Sequence, residues 1–204
     1  MSKLKPAVTQ NQNSKIKTFK IKIKKGEKEI VVIDQSGEYI VELAGEGAEA
    51  LIVGAFVGRN ENVFDVRTIQ YHKAKNTKSD LLLKSVLFNK SKFFYRGLIK
   101  IEKGADGADA YQKNENLLFG NSVSVDSEPN LEIKANSVRC THGVTTGQVD
   151  DDSLFYLRSR GFTEREANTL LISAFFESLF LKVKESKLKE KILRRINFGK
   201  LNSL

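Results

Sequence analysis

The stretch on which the reading of this chain turns is Val138-Arg139-Cys140-Thr141-His142-Gly143-Val144-Thr145-Thr146-Gly147-Gln148-Val149-Asp150-Asp151-Asp152-Ser153-Leu154-Phe155-Tyr156-Leu157-Arg158-Ser159-Arg160-Gly161. Before it, apolar and polar residues alternate with the period of two that marks strands. After it, apolar residues recur at helical spacing. The stretch holds the only cysteine, Cys140, and one of two histidines, His142. These two are at i and i+2, so on an extended strand both side chains leave by the same face. A thiolate beside an imidazole suits zinc, or the edge of an iron–sulfur cluster. Such centres normally take four ligands. One cysteine and two histidines cannot supply them alone. The others must come from a second chain, from carboxylates such as Asp150, Asp151 and Asp152, or from solvent and small thiols. A shared, exposed, incomplete site suits transient assembly or transfer rather than storage.

Upstream the texture is β throughout. Phe19, Ile21 and Ile23 alternate with lysines, and Tyr39, Val41 and Leu43 alternate again. Ala48 to Val57 reads as a buried strand with Gly54 in it. Further short strands are expected at Phe64–Tyr71, Leu81–Leu83, Val86–Phe88, Phe93–Tyr95, Leu98–Ile101, Leu117–Phe119, Val123–Val125 and Leu131–Ile133. Between them stand Asn60, Asn76, Asn89, Gly104, Gly107, Gly120 and Asn136, which tolerate left-handed backbone and suit tight corners. Many short strands with close turns mean a sandwich, a barrel or a β-solenoid. No clean repeat period stands out, which counts against a regular solenoid.

Downstream, Asp150, Asp151, Asp152 and Ser153 crowd the start of a short helix, where carboxylates meet the positive end of the dipole and Asp or Ser caps it. Gly161 ends that helix. Thr163-Glu164-Arg165-Glu166 is a capping box that opens a second one. On it, Ala167, Leu170, Leu171, Ala174, Phe175 and Ser178 form the expected core stripe. Ile172, Phe176, Leu179, Phe180 and Val183 form a second stripe, which either meets another chain or covers the end of the β core. Ser186 to Phe198 reads as a third, basic helix.

The net charge of +9 is unevenly placed. Residues 1–25 carry +8 and residues 182–204 carry +6, leaving −5 for the middle. Basic ends can bind phosphate backbones, but stacking aromatics are not interleaved with these lysines. Lysine tails that keep a chain soluble and unpaired are the simpler reading. No apolar run approaches the ~20 residues that span a bilayer, and the first 25 residues lack the apolar centre of a signal peptide. With a single cysteine excluding an internal disulfide, a cytoplasmic protein is expected. Gly45-Glu46-Gly47 lacks the lysine and helix of a phosphate loop. His72 reads as a structural hydrogen-bonder. The boundaries are a flexible basic tail over 1–15, a β core over 16–149 and a helical domain over 150–204.

Cys140-Thr141-His142-Gly143, Thr145-Thr146-Gly147-Gln148 and Leu154-Phe155-Tyr156-Leu157-Arg158-Ser159-Arg160-Gly161 together resemble the SufB/SufD family of iron–sulfur cluster assembly proteins. The resemblance runs from Ile69 to Phe180 and includes Gln70-Tyr71-His72, Gln112, Asn114 and Pro129-Asn130-Leu131-Glu132-Ile133. It implies a right-handed parallel β-helix followed by a small C-terminal helical domain, with no catalytic activity of its own. It implies pairing through the β-helix with a SufB-like scaffold chain or a second copy, and docking of a SufC-like ABC ATPase by the helices. An iron–sulfur cluster is then the cargo, held transiently at Cys140 and His142 and shared with the partner chain. Phe155, Tyr156, Arg158, Arg160, Phe175, Phe176 and Phe180 are the expected docking residues, with Arg158 and Arg160 bridging helix to core or partner. The Cys-x-His-Gly form resembles the SufD side. Val144 stands where the family usually has Ala. Two readings from other classes are a β-solenoid enzyme acting on polysaccharide through Asp150–Asp152 and a basic nucleic-acid-binding β domain.

Overall fold

The computed structural model describes residues 7–8, 16–183 and 185–196. The strands are β1 (Ala7–Val8), β2 (Thr18–Ile23), β3 (Lys28–Ile33), β4 (Gly37–Leu43), β5 (Glu49–Gly58), β6 (Val63–His72), β7 (Lys78–Phe88), β8 (Lys92–Ile101), β9 (Asp109–Phe119), β10 (Ser124–Ile133) and β11 (Arg139–Gln148). They are followed by helices α1 (Asp151–Ser159), α2 (Glu164–Lys182) and α3 (Ser186–Ile196). Even-numbered strands line up as β2-β4-β6-β8-β10 in a first sheet, with β1 antiparallel on β2. Odd-numbered strands line up as β11-β9-β7-β5-β3 in a second. All pairs but β1–β2 are parallel. The chain is therefore a two-sheet β-solenoid, each coil adding one strand to each sheet.

A coil of 29 residues carries Tyr39 onto Thr68 and Thr68 onto Gly97. The turn residues explain how the coils stack. At one corner Gly26, Gly47, Asn76 and Gly107 all have left-handed φ, between 56° and 76°. Their N–H groups donate to Glu46, Lys75, Asp106 and Ser137, each one coil below. At the other corner Asn60, Asn89 and Gly120 are also left-handed, with φ of 53°, 59° and 96°, and the Asn60 N–H donates to Asn89 Oδ1 (3.1 Å) on the next coil. Glycine and asparagine reach this region at low cost. The repeat is thus carried by backbone conformation at the corners.

Each strand sends alternate residues inward, where Phe19, Ile23, Tyr39, Val41, Leu43, Ile52, Leu81, Leu83, Phe93 and Tyr95 form the core between the sheets. Several strands expected as pairs are single. Leu81–Leu83 and Val86–Phe88 belong to β7, because Ser85, which interrupts the apolar run, donates inside the solenoid to Asn116 Oδ1 (2.7 Å). Phe93–Tyr95 and Leu98–Ile101 belong to β8. A side chain at Gly97 between them would sit 2.4 Å from the Gln112 amide. Pro129 lies within β10, which its place at the sheet edge allows.

The helices share a core with the outer face of the second sheet. Ile172, Phe176, Leu179 and Val183 of α2 and its C-cap, with Leu188 and Ile192 of α3, pack on Val53, Leu82, Val86 and Phe88. This reverses the expected roll of α2. Of the six residues assigned to its core stripe only Ala167 is buried, and Leu170 is 46% exposed. Two contacts fix the roll. The Lys84 ammonium, almost wholly buried, donates to the Phe175 carbonyl (2.5 Å), pairs with Glu115 (2.6 Å) and lies over the Phe175 ring. Lys182 pairs with Asp80. The expected flexible tail over 1–15 lies outside the described residues, apart from Ala7 and Val8, which pair with Lys20 and Phe19. Of the expected third helix, Asn197 and Phe198 also lie outside them.

His72 is fully buried, with Nδ1 and Nε2 each 2.8 Å from a hydroxyl, Thr77 Oγ1 and Ser79 Oγ. Burial pushes its pKa down to about 4. In the unfolded chain the ring gains its proton near 6.5, whereas the folded protein resists it. Stability is therefore full above that value and falls as pH drops toward about 4, by about 3 kcal/mol in all. Urea unfolding across this range checks it, since His72→Gln should remove most of the slope.

Candidate functional site: the open end of the solenoid

In a solenoid the inward row of one coil is covered by the inward row of the next. β10 and β11 are the last strands of their sheets, and among the described residues no strand follows either. Register identifies their inward rows. Leu131 and Ile133 pair with the buried Ile99 and Ile101. Cys140, His142, Val144 and Thr146 pair with the buried Ala110, Gln112, Asn114 and Asn116. Below the last coil these side chains meet solvent. Leu131, Ile133 and Val144 are each at least 40% exposed and His142 is exposed.

Cys140 and His142 therefore stand side by side on the open floor of the solenoid. Cys140 is half-buried, packed beside Ile99, Ile101, Ala105, Ala108 and Ala110, and burial pushes its thiol pKa up. A thiol so placed is less often a thiolate at neutral pH, which makes it the weaker first ligand. No group of three or more His, Cys, Asp and Glu side chains stands in metal-binding geometry among the described residues. The two donors fit one side of a metal centre whose remaining ligands come from outside.

Three amides form the row above. Asn114 accepts from Ser127 Oγ (2.7 Å) and from Asn116 Nδ2 (2.8 Å). Asn116 Nδ2 also donates down to Thr146 Oγ1 (3.2 Å), fastening the edge strand. Gln112, fully buried, makes one long bond, from Gln70 Nε2 to its Oε1 (3.5 Å), and its own Nε2 has no partner. Sequence reasoning found Cys140 and His142 but missed Leu131, Ile133, Val144 and the amide row as parts of one surface. The alternation of Leu131 and Ile133 was readable, but nothing local marks a strand as the last.

The helices offer a second surface. No residue of α1 is buried. Phe155 is 75% and Tyr156 56% exposed, and Phe162 and Leu170 lie exposed beyond them. Arg158 reaches Glu164 (4.0 Å) and Arg160 lies over the Tyr156 ring, so of the two bridges expected for them, to core or to partner, these contacts do not make the one to the core. Phe175 and Phe180 are half-buried where α2 meets the sheet. Phe176 is wholly buried there, so its expected part in docking is replaced by packing. Asp150 caps α1, accepting from the N–H groups of Asp152 and Ser153, with Asp151 and Asp152 in its first turn. The carboxylates proposed for glycan chemistry thus have a structural use. No helix among the described residues is long and apolar enough to cross a membrane.

The family model described as SUF system FeS cluster assembly, SufBD core domain, matches residues 5–175. The chain belongs to the SufB/SufD family. It is 36% identical over 155 residues to the iron–sulfur cluster assembly protein SufD of Escherichia coli, covering 76% of this chain and 37% of that protein. It is 32% identical over 164 residues to the SufBD family protein ML0594 of Mycobacterium leprae, covering 76% and 42%. The chloroplastic SufBD family protein ABCI8 of Arabidopsis thaliana is 29% identical over 143 residues, covering 70% and 26%. The chain thus spans about two-fifths of the length of the first two relatives. The solenoid and the C-terminal helices expected from the resemblance are both present.

The two kinds of aromatic on the helices should separate cleanly. Phe176→Ala should cost about 3–5 kcal/mol of stability. Phe155→Ala should stay within about 0.5 kcal/mol of the parent. Denaturant midpoints of the two variants test the assignment.

Proposed function

We propose that the chain is a non-catalytic scaffold subunit of an iron–sulfur cluster assembly complex, of SufD type. The open end of the solenoid pairs with a SufB-like chain or a second copy of this one, and Cys140 and His142 contribute to a nascent cluster that the partner's ligands complete. The observation that carries this reading is the pair of donors on an uncovered inward row, surrounded by apolar side chains that a partner would bury. The exposed aromatic end of α1 and the start of α2, with Phe155, Tyr156, Phe162 and Leu170, docks a SufC-like ABC ATPase. Its movements reach the site through α1, which follows β11 directly. The setting is cytoplasmic and the cluster is cargo rather than a resident cofactor.

Co-expression with a SufB-like chain and a SufC-like ATPase, followed by size exclusion and iron and sulfide analysis, tests this. His142→Ala should lower iron and sulfide more than Cys140→Ala, since the imidazole is exposed on the open floor while the thiol is half-buried. Wild-type yields in both variants would defeat the site. Separately, Phe155→Ala should weaken ATPase capture about thirtyfold, roughly 2 kcal/mol. Unchanged capture would move the docking surface elsewhere.

A further inference from the structure

The amide row above the open end is used unevenly. Asn116 reaches down to its register partner on the edge strand, Thr146. Gln112 lies four residues earlier on the same strand and face, and its register partner is His142. Parallel neighbours in register stand about 4.8 Å apart, within reach of a glutamine and an imidazole on one face. Yet Gln112 is fully buried with a side-chain atom unpaired, and Gln70 Oε1 beside it is unpaired as well. Turning both amides over keeps their mutual bond, now from Gln112 Nε2 to Gln70 Oε1, and leaves the Gln112 oxygen and the Gln70 nitrogen as the free atoms. A buried oxygen without a donor is costly, and a donor hangs from the next strand.

We propose that Gln112 is a positioning residue for His142: the ring turns in beneath it, one ring N–H donates to Gln112 Oε1, and the other nitrogen faces out of the open end with its lone pair free. Ligands of metal centres are commonly held this way, the second ring nitrogen fixing tautomer and orientation. Gly97 supports the arrangement, because any side chain there would push the Gln112 amide from its place. The purpose of the device rests on reading His142 as a ligand, but its existence does not, and the test below needs no metal or partner.

The chain has only two histidines, so labelling them with 15N and recording long-range proton–nitrogen spectra of the metal-free protein, at a pH where imidazole is neutral, reads both tautomers. His142 should favour one tautomer by on the order of tenfold. In Gln112→Met that preference should fall to that of a freely hydrated imidazole. The His72 signals, set by Thr77 and Ser79, should stay put and report an intact core. Gln112→Glu, which keeps an acceptor, should retain the parent tautomer and serves if the methionine variant does not fold. The same tautomer ratio in the parent and in Gln112→Met would overturn the proposal, as would a switch to the opposite tautomer in Gln112→Glu. Loss of the tautomer preference together with unaffected cluster yields would leave this inference standing and count against the ligand role instead.

Discussion

An inward row in a parallel solenoid is covered only by the coil that follows it. This constraint organises the whole molecule. It makes the interior apolar through the coils where Tyr39, Ile52, Leu83 and Phe93 meet neighbours above and below. It also decides what happens where the succession of described strands stops. There the same alternation that fills the core delivers Leu131, Ile133, Cys140, His142 and Val144 to an uncovered surface. The candidate site does not need a loop or a cleft to present it, since it is the core's own periodicity continued into the last described coil.

Rigidity beneath that surface comes from polar groups. The amides of Asn114 and Asn116, with Ser85, Ser127 and Thr146, tie four strands across both sheets just behind the exposed row. Buried networks of this kind are favourable when every member is satisfied, and Gln112 is the member left over. On the outside, Lys84 and Lys182 hold α2 against the second sheet. Burial alone would raise the Glu115 pKa, but Lys113 and Lys84 together hold it below its ordinary range. The helical segment is therefore seated on the solenoid, with α1 alone standing clear.

Much of this was readable from residues. The period-two alternation gave the strands, Asp150 and the Thr163–Glu166 box gave the helix starts, and the Cys140–His142 spacing gave a shared face. The solenoid period was not recognised because it sits in corner conformation, not in composition. Gly47, Asn76 and Gly107, or Asn60, Asn89 and Gly120, mix two residue types and have in common a left-handed φ at spacings of 29 to 31 residues. The roll of α2 was misread because both of its stripes are apolar. What selects between them is a buried lysine on β7 that no periodicity announces. That no described strand follows β11 in its sheet is a property of topology, which local pattern does not carry.

The central claim is that the floor made by β10 and β11 is the surface a partner scaffold chain covers. Hydrogen–deuterium exchange of this chain, alone and assembled with a SufB-like chain, addresses it most directly. The account requires the amides of 124–133 and 139–148 to slow on assembly, while the outer face of the first sheet around Ile40 and Ile69 exchanges as before. Assembly that leaves those two strands exchanging as fast as in the free chain would contradict it.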